Sequence, residues 1–398
     1  NPIVLTASAT DDDIPADTLT FSFVGSVPSG ATIGSTSGDF SWTPPNTLGT
    51  NVITIRVTDN GVPPLYDEKD LIIIITPTNA TPVLSLGVAR ATEAIATFEK
   101  WAAPSSSGTI MFRQPNYSGS TTTFLDTSTN YTKVVNSYPA GHAGGTNVMR
   151  ASWGFKTGTT NPWLRLTTGA AANIPNPTIN LGQSVRFDIY SDKALKVALG
   201  VRETGTTAEI GANGGTSGGI EWIGATKVGT SPNPSRTVNA NTWTTLEFNL
   251  PIEACTNFSG GNSVLSSGKG VLEHLALVPA GGMGAYNVYV DNLQVVTTTA
   301  LPGTVTLYAD SVLTFNASAT DADTPAQPLS FGLDADAPVS SSIDLNTGAF
   351  TWTPTSANAG TTNVITVFVN DEPANGAPVK TDSKTLTVIV KADLFAVQ

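Results

Sequence analysis

The chain repeats itself across 310 residues. Ser8-Ala-Thr-Asp-Asp-Asp13 returns as Ser318-Ala-Thr-Asp-Ala-Asp323, and the same offset maps Leu19 on Leu329, Phe21 on Phe331, Gly38 on Gly348, Phe40 on Phe350, Trp42 on Trp352 and Pro44 on Pro354. After two inserted residues, Thr50-Asn-Val-Ile-Thr54 reappears unchanged as Thr362-Asn-Val-Ile-Thr366, and Asp59 aligns with Asp371. Conserved order over that distance means two copies of one module around an unrelated middle. The expected division is residues 1–80, a linker at 81–94, a middle domain at 95–297 and a second copy at 298–398.

Within each copy, short alternating runs such as Val52-Ile-Thr-Ile-Arg-Val57 and Leu386-Thr-Val-Ile-Val390 are separated by Pro, Gly, Asn and Asp clusters. Helical periodicity is missing, so each copy is expected to be an antiparallel sandwich. The motifs Ala-Thr-Asp-x-Asp, Leu-x-Phe and Gly-x-Phe-x-Trp-x-Pro resemble those of the cadherin-like or "putative Ig" repeats of bacterial surface and secreted proteins.

Charge separates the three parts. The whole chain carries -12, of which the first 80 residues hold -7, the last 101 hold -7 and the middle holds +2. An acidic protein lacks the basic surface that phosphate backbones require, so no nucleic-acid partner is expected. No run approaches the ~20 apolar residues of a membrane helix, and membrane insertion is not expected. One cysteine, Cys255, and two histidines, His142 and His274, exclude a disulfide framework and multi-cysteine metal sites. His142, in a glycine-flanked turn, reads as simply exposed.

The acidity of the ends has two readings. Asp11 and Asp13, like Asp321 and Asp323, stand two residues apart at a strand end, and Asp59 and Asp371 end a later strand that returns alongside. Hard oxygen ligands gathered in a loop suit Ca2+; aspartates are also ordinary turn formers.

The middle is richer in rings, with Trp101, Trp153, Trp163, Trp222 and Trp243. Eight or more strand-like runs over ~200 residues predict a two-sheet jelly roll, making the whole chain all-β. Alternation places Val185, Phe187, Ile189, Val197, Leu199 and Val201 inside, and turns Arg186, Asp188, Tyr190 and Arg202 outward; in the run at 148–153 it turns Arg150 and Ser152 outward. Planar charged groups bond sugar hydroxyls pairwise and aromatic rings stack on pyranose faces. The expected sugar contacts are therefore Arg150, Tyr190 and Arg202, with Glu221 and Trp222 after a Gly-rich loop and the loop aromatics Tyr117 and Tyr138; Tyr131, Phe258 and Tyr286 are further loop candidates. Trp153, Trp163 and Trp243 are expected in the core.

Phe98-Glu99, Trp163-Leu-Arg-Leu166, the strand at 185–191 and Tyr289-Val-Asp-Asn-Leu293 resemble the jelly-roll carbohydrate-binding modules of the galactose-binding-like class. That resemblance implies a structural Ca2+ held by Glu99 and Asp291, and a polysaccharide or oligosaccharide partner. Hydrolase, lyase and nucleophile-elbow motifs are missing, so no catalytic residue is expected. The reading is a non-catalytic glycan-anchoring segment, monomeric within a larger multimodular secreted or cell-surface protein, as its start at Asn1 without a leader also suggests. The alternatives are an adhesin or structural spacer, or a jelly-roll polysaccharide lyase or glycoside hydrolase.

Overall fold

The computed structural model describes all residues except 1, 46–48, 76–78, 100–102, 104–109, 170–174, 267, 324–325, 374–376 and 392–398, and except the side chains of 127 and 129. Trp101 lies outside the described residues. The described chain is all-β, with three short 3-10 turns and no α-helix. It forms two compact units, one of residues 1–82, 321–329 and 370–381, the other of 83–320, 330–369 and 382–398.

The repeated motif folds alike in both copies. In the first, Ile3–Thr6 pairs antiparallel with Asp39–Trp42; in the second, Leu313–Asn316 pairs with Ala349–Trp352. The rings they share are buried, with Phe40 and Trp42 at 0% and 1% exposure and Phe350 and Trp352 at 2% and 1%. Gly38 and Gly348 turn the chain into these strands with φ of 72° and 68°. A Cβ there would lie 2.2 Å from the Ala7 carbonyl oxygen or 2.3 Å from that of Ala317, so both the left-handed backbone and the close approach require glycine.

The middle domain is a sandwich of two sheets. The first runs in the order Thr244–Asn249, Ser184–Ser191, Gly284–Ala300, Val148–Phe155, Leu125–Val135. The second runs Leu164–Thr167, Lys269–Pro279, Leu195–Arg202, Ile220–Ile223, Cys255–Ser259. Between them lies the core expected from alternation, with Val185, Phe187, Ile189, Val197, Leu199 and Val201 all at 0% exposure.

Residues 81–94 are not a free linker. Val83–Ser85 pairs with Ser318–Thr320 of the second copy, and Val88–Ala96 lies between Gly284–Ala300 and Leu313–Asn316. One nine-stranded sheet thereby runs from the middle domain into the second copy. Leu84, Leu86, Ala89 and Ala91 are buried. Their apolar side chains specify strands, which pair with both the middle domain and the second copy.

Candidate functional site

The two outer faces of the middle sandwich are built differently. On the first sheet, inward Tyr286, Val288 and Val290 force Asn287, Tyr289 and Asp291 outward. Register sets Tyr289 beside Arg150 on one side and Tyr190 on the other. The Arg150 guanidinium lies 5.6 Å from the ring centres of both Tyr131 and Tyr289, and its Nη2 donates to Asn287 Oδ1 at 2.7 Å. Its Nε–H has no acceptor among the described residues. Tyr190 stands 5.8 Å from Tyr289 and 5.7 Å from Trp243. His142 stacks on Trp243 at 4.2 Å, and Tyr138 meets both edge-on. A band of rings thus crosses the sheet, and Tyr131, Arg150, Tyr190, Trp243 and Tyr138 are all half-exposed.

Two carboxylates of this face are engaged on both oxygens, and Asp291 on one, its buried Oδ1 having no donor among the described residues. Asp188 accepts from Thr245 Oγ1 at 2.5 Å and Asn292 Nδ2 at 2.7 Å. Asp192 accepts from the backbone and side chain of Asn287. Asp291 is fully buried and its Oδ2 stands 2.8 Å from His142 Nε2. Burial pushes its carboxyl up to about 6, against the lowering effect of the His142 contact.

The second sheet's outer face is filled by its own chain. Trp222 meets Trp163 at 5.5 Å and Phe258 at 4.8 Å, and both tryptophans are buried. Gly200 is opposite Trp222 and His274 in register. A Cβ there would come within 2.8 Å of the indole and 2.6 Å of His274 Cβ, so glycine lets the rings close over the strand. Arg165 caps Phe258 at 5.2 Å. His274 contacts Thr167 Oγ1 at 3.2 Å, and burial holds its imidazole well below the usual range, helped by Arg165 and Arg202.

The expected sugar residues therefore divide. Arg150, Tyr190 and Tyr138 stand together on the open face with Tyr131. Arg202 does not join them: it belongs to the other sheet, where it forms a two-pronged ion pair with Glu273 and donates to the Gly218 carbonyl at 2.8 Å. Glu221 and Trp222 are both fully buried. Ile220–Ile223 is a strand, so Glu221 points inward, where Oε1 accepts from the backbone of Asn262 and of Ser263 and pins that loop. Tyr117 is exposed on the turn Pro115–Tyr117 beneath Arg113, with no ring contact to the band. Tyr286 is in the core, stacked on Trp153. Trp243, Tyr289 and His142 were not expected here. Alternation from inward Leu246 and Phe248 would have turned Trp243 outward, but a tryptophan in a strand reads first as core. His142 is covered, not exposed, because the indole and Asp291 enclose it.

The acidic loops also regroup. Asp11 stands with Asp17 and Asp59, their oxygens within 4.8 Å of one another. Asp13 is not in this group, although its backbone N–H donates to Asp11 Oδ1 at 3.0 Å. Asp321, Asp323 and Asp371 do come together within the same limit. Asp371 is fully buried and accepts from Asn79 Nδ2 and the Lys380 backbone; Asp323 accepts from the Ala80 N–H and Gln327. Asp321 Oδ2 is a buried acceptor with no donor among the described residues. Three hard oxygen donors with one orphaned fit a cation such as Ca2+. Glu99 and Asp291 belong to no such trio among the described residues; Glu99 accepts instead from Thr146 Oγ1 and the Asn147 N–H.

The family model described as "Putative Ig domain" matches residues 1–68. No curated protein matches the chain. Among solved structures, a carbohydrate-binding module of the β-sandwich superfamily aligns at 15% identity, covering 74% of this chain and 91% of that one, with a TM-score of 0.27. Mouse cadherin-23 repeats EC22–24 align at 14% identity over 98% and 91% of the two chains, with a TM-score of 0.18. A protocadherin gammaB7 fragment, EC3–6, aligns at 13% identity over 97% and 94%, with a TM-score of 0.17. Among the described residues, no helix is long and apolar enough to cross a membrane. The chain is an all-β protein of sandwich folds whose first 68 residues match an Ig-like family.

Proposed function

We propose that the middle domain holds polysaccharide on the open outer face of its first sheet, without cleaving it, and so anchors a secreted or cell-surface protein to glycan. The carrying observation is the set of half-exposed side chains Tyr131, Arg150, Tyr190 and Trp243, grouped around the buried ring of Tyr289. The half-exposed rings of Tyr190 and Trp243, 5.7 Å apart with their planes at 52°, offer stacking surfaces to a sugar face. The guanidinium and the Asn241 and Asn287 amides supply fixed donors for hydroxyls or carboxylates. Glycosidic cleavage needs one carboxylate as acid and another as nucleophile or base, whereas Asp188, Asp192 and Asp291 are all held by neighbours. Binding on an open sheet is weak and reversible, and works by raising local concentration.

Affinity gels containing neutral and uronate-bearing polysaccharides test this. Retention is expected on at least one gel and should vanish in Tyr190→Ala; no retention on any gel refutes it. The spacer reading rests on the nine-stranded sheet that joins middle domain and second copy, and gains if the panel is blank.

The same proposal places a structural Ca2+ at Asp321, Asp323 and Asp371, supported by the orphaned Asp321 Oδ2. Neutralising three clustered carboxylates would stabilise the fold that binds it. Excess Ca2+ should raise the melting temperature of the chelator-treated chain, and Asp321→Asn should abolish that rise.

A further inference from the structure

Two cations stand side by side on the open sheet of the middle domain. Inward Thr132, Val134, Met149 and Ala151 turn Lys133 and Arg150 outward, and the antiparallel register sets these two directly opposite one another. Like charges in that position repel. Lys133 Nζ lies 4.9 Å and the Arg150 guanidinium 5.6 Å from the centre of the Tyr131 ring, which attracts each cation but cancels neither charge.

Elsewhere the chain matches its arginines. Arg56, Arg90, Arg202 and Arg236 each meet a glutamate, whereas among the described residues no carboxylate lies within salt-bridge distance of Lys133 or Arg150. Asp192 is held off by Asn287, whose backbone N–H and Nδ2 donate to its two oxygens at 2.9 Å and 2.7 Å. The Asn287 Oδ1 in turn accepts from Arg150 Nη2 at 2.7 Å and from Ser152 Oγ at 2.8 Å. Asn287 thus orients the guanidinium without neutralising it. A chain of net charge -12 keeps two unmatched cations here. Register continues the row from Lys133 through Arg150 and Tyr289 to Tyr190, so the pair adjoins the rings that offer a sugar its stacking surface.

On the reading that this face holds glycan, we infer that Lys133 and Arg150 form an anion subsite that takes the carboxylate of a uronate or the sulfate ester of a sulfated sugar, so that the glycan held is acidic. Either anion offers one oxygen to the forked guanidinium and another to the ammonium, and its charge relieves the repulsion between them. Tyr190 and Trp243 take the adjoining sugar face.

Matched affinity gels test this: a polyuronate beside its carboxyl-reduced form, and a sulfated polysaccharide beside its desulfated form. Retention on an acidic gel is expected to be at least about tenfold stronger than on its neutralised twin, and to fall as NaCl rises from about 50 mM to about 500 mM. A response in either arm supports the subsite, and the arm that responds names the anion. Lys133→Gln should weaken acidic retention about tenfold at unchanged melting temperature. Lys227→Gln, which removes a charge from the exposed part of the strand Ala225–Val228, should leave retention as it was. Equal retention on an acidic gel and its twin, no loss in Lys133→Gln, or an equal loss in Lys227→Gln overturns the anion subsite and leaves glycan binding standing; a blank panel removes both.

Discussion

The two outer faces of the middle sandwich use the same kinds of residue to opposite ends. On the second sheet Trp163, Trp222 and Phe258 pack on one another over Gly200 and shed water. On the first sheet Tyr190 and Trp243 meet tilted at 5.7 Å, Tyr131 lies under Arg150, and all three stay half-exposed. Arg202 is matched to Glu273 on the covered face, while Arg150 has amide and ring neighbours but no carboxylate within salt-bridge distance. Ring content alone therefore does not make a binding face. What matters is whether the chain supplies its own cover, because a covered ring contributes stability and an open one is left for a ligand.

The largest expected effect comes from exchanging the tryptophans. Trp222→Ala should cost about 3–5 kcal/mol through the cavity it leaves, seen as a lower denaturant midpoint. Trp243→Ala should cost roughly 1 kcal/mol and abolish glycan retention. Equal destabilisation by both would erase the distinction between the faces. Next in size are the arginines. Arg202→Ala strands the largely buried Glu273 and should cost on the order of 2 kcal/mol with retention unchanged, whereas Arg150→Ala should weaken retention about tenfold at nearly unchanged stability.

The smallest effect is the pH dependence that His274 adds on the covered face. Burial keeps His274 neutral by lowering its pKa from 6.5. The unfolded chain therefore takes up this proton first, so stability present above about pH 6.5 is lost as the pH falls. Melting temperatures of the chain and of His274→Gln, compared from pH 7.5 to 5, should converge toward acid. Parallel curves would show that His274 does not carry this slope.

Much of this was legible beforehand, and the exceptions are instructive. Period-2 alternation identified the core strands and the outward Arg150 and Tyr190, because one buried face suffices to set which side a residue takes. Glu221 and Trp222, singled out because they follow a Gly-rich loop, and Tyr286, counted among the loop aromatics, are instead buried in strands. Alternation also left Arg202 beside Tyr190, since it tells in from out but not which of two sheets a strand joins. The acidic trio at Asp321, Asp323 and Asp371 was among the residues named from the repeat; Asp17 in place of Asp13 in the first copy was not, because motif spacing does not carry side-chain direction.

The sequence by itself determined the all-β character, the duplicated module and the identity of the core, since these rest on local period, turn chemistry and an internal copy. Only the tertiary structure decided that residues 83–85 and 88–96 are strands paired with the second copy, and that one ring-bearing face is sealed and the other open. Those outcomes depend on which distant strands pair, and pairing between segments some 200 residues apart leaves no periodic mark along the chain.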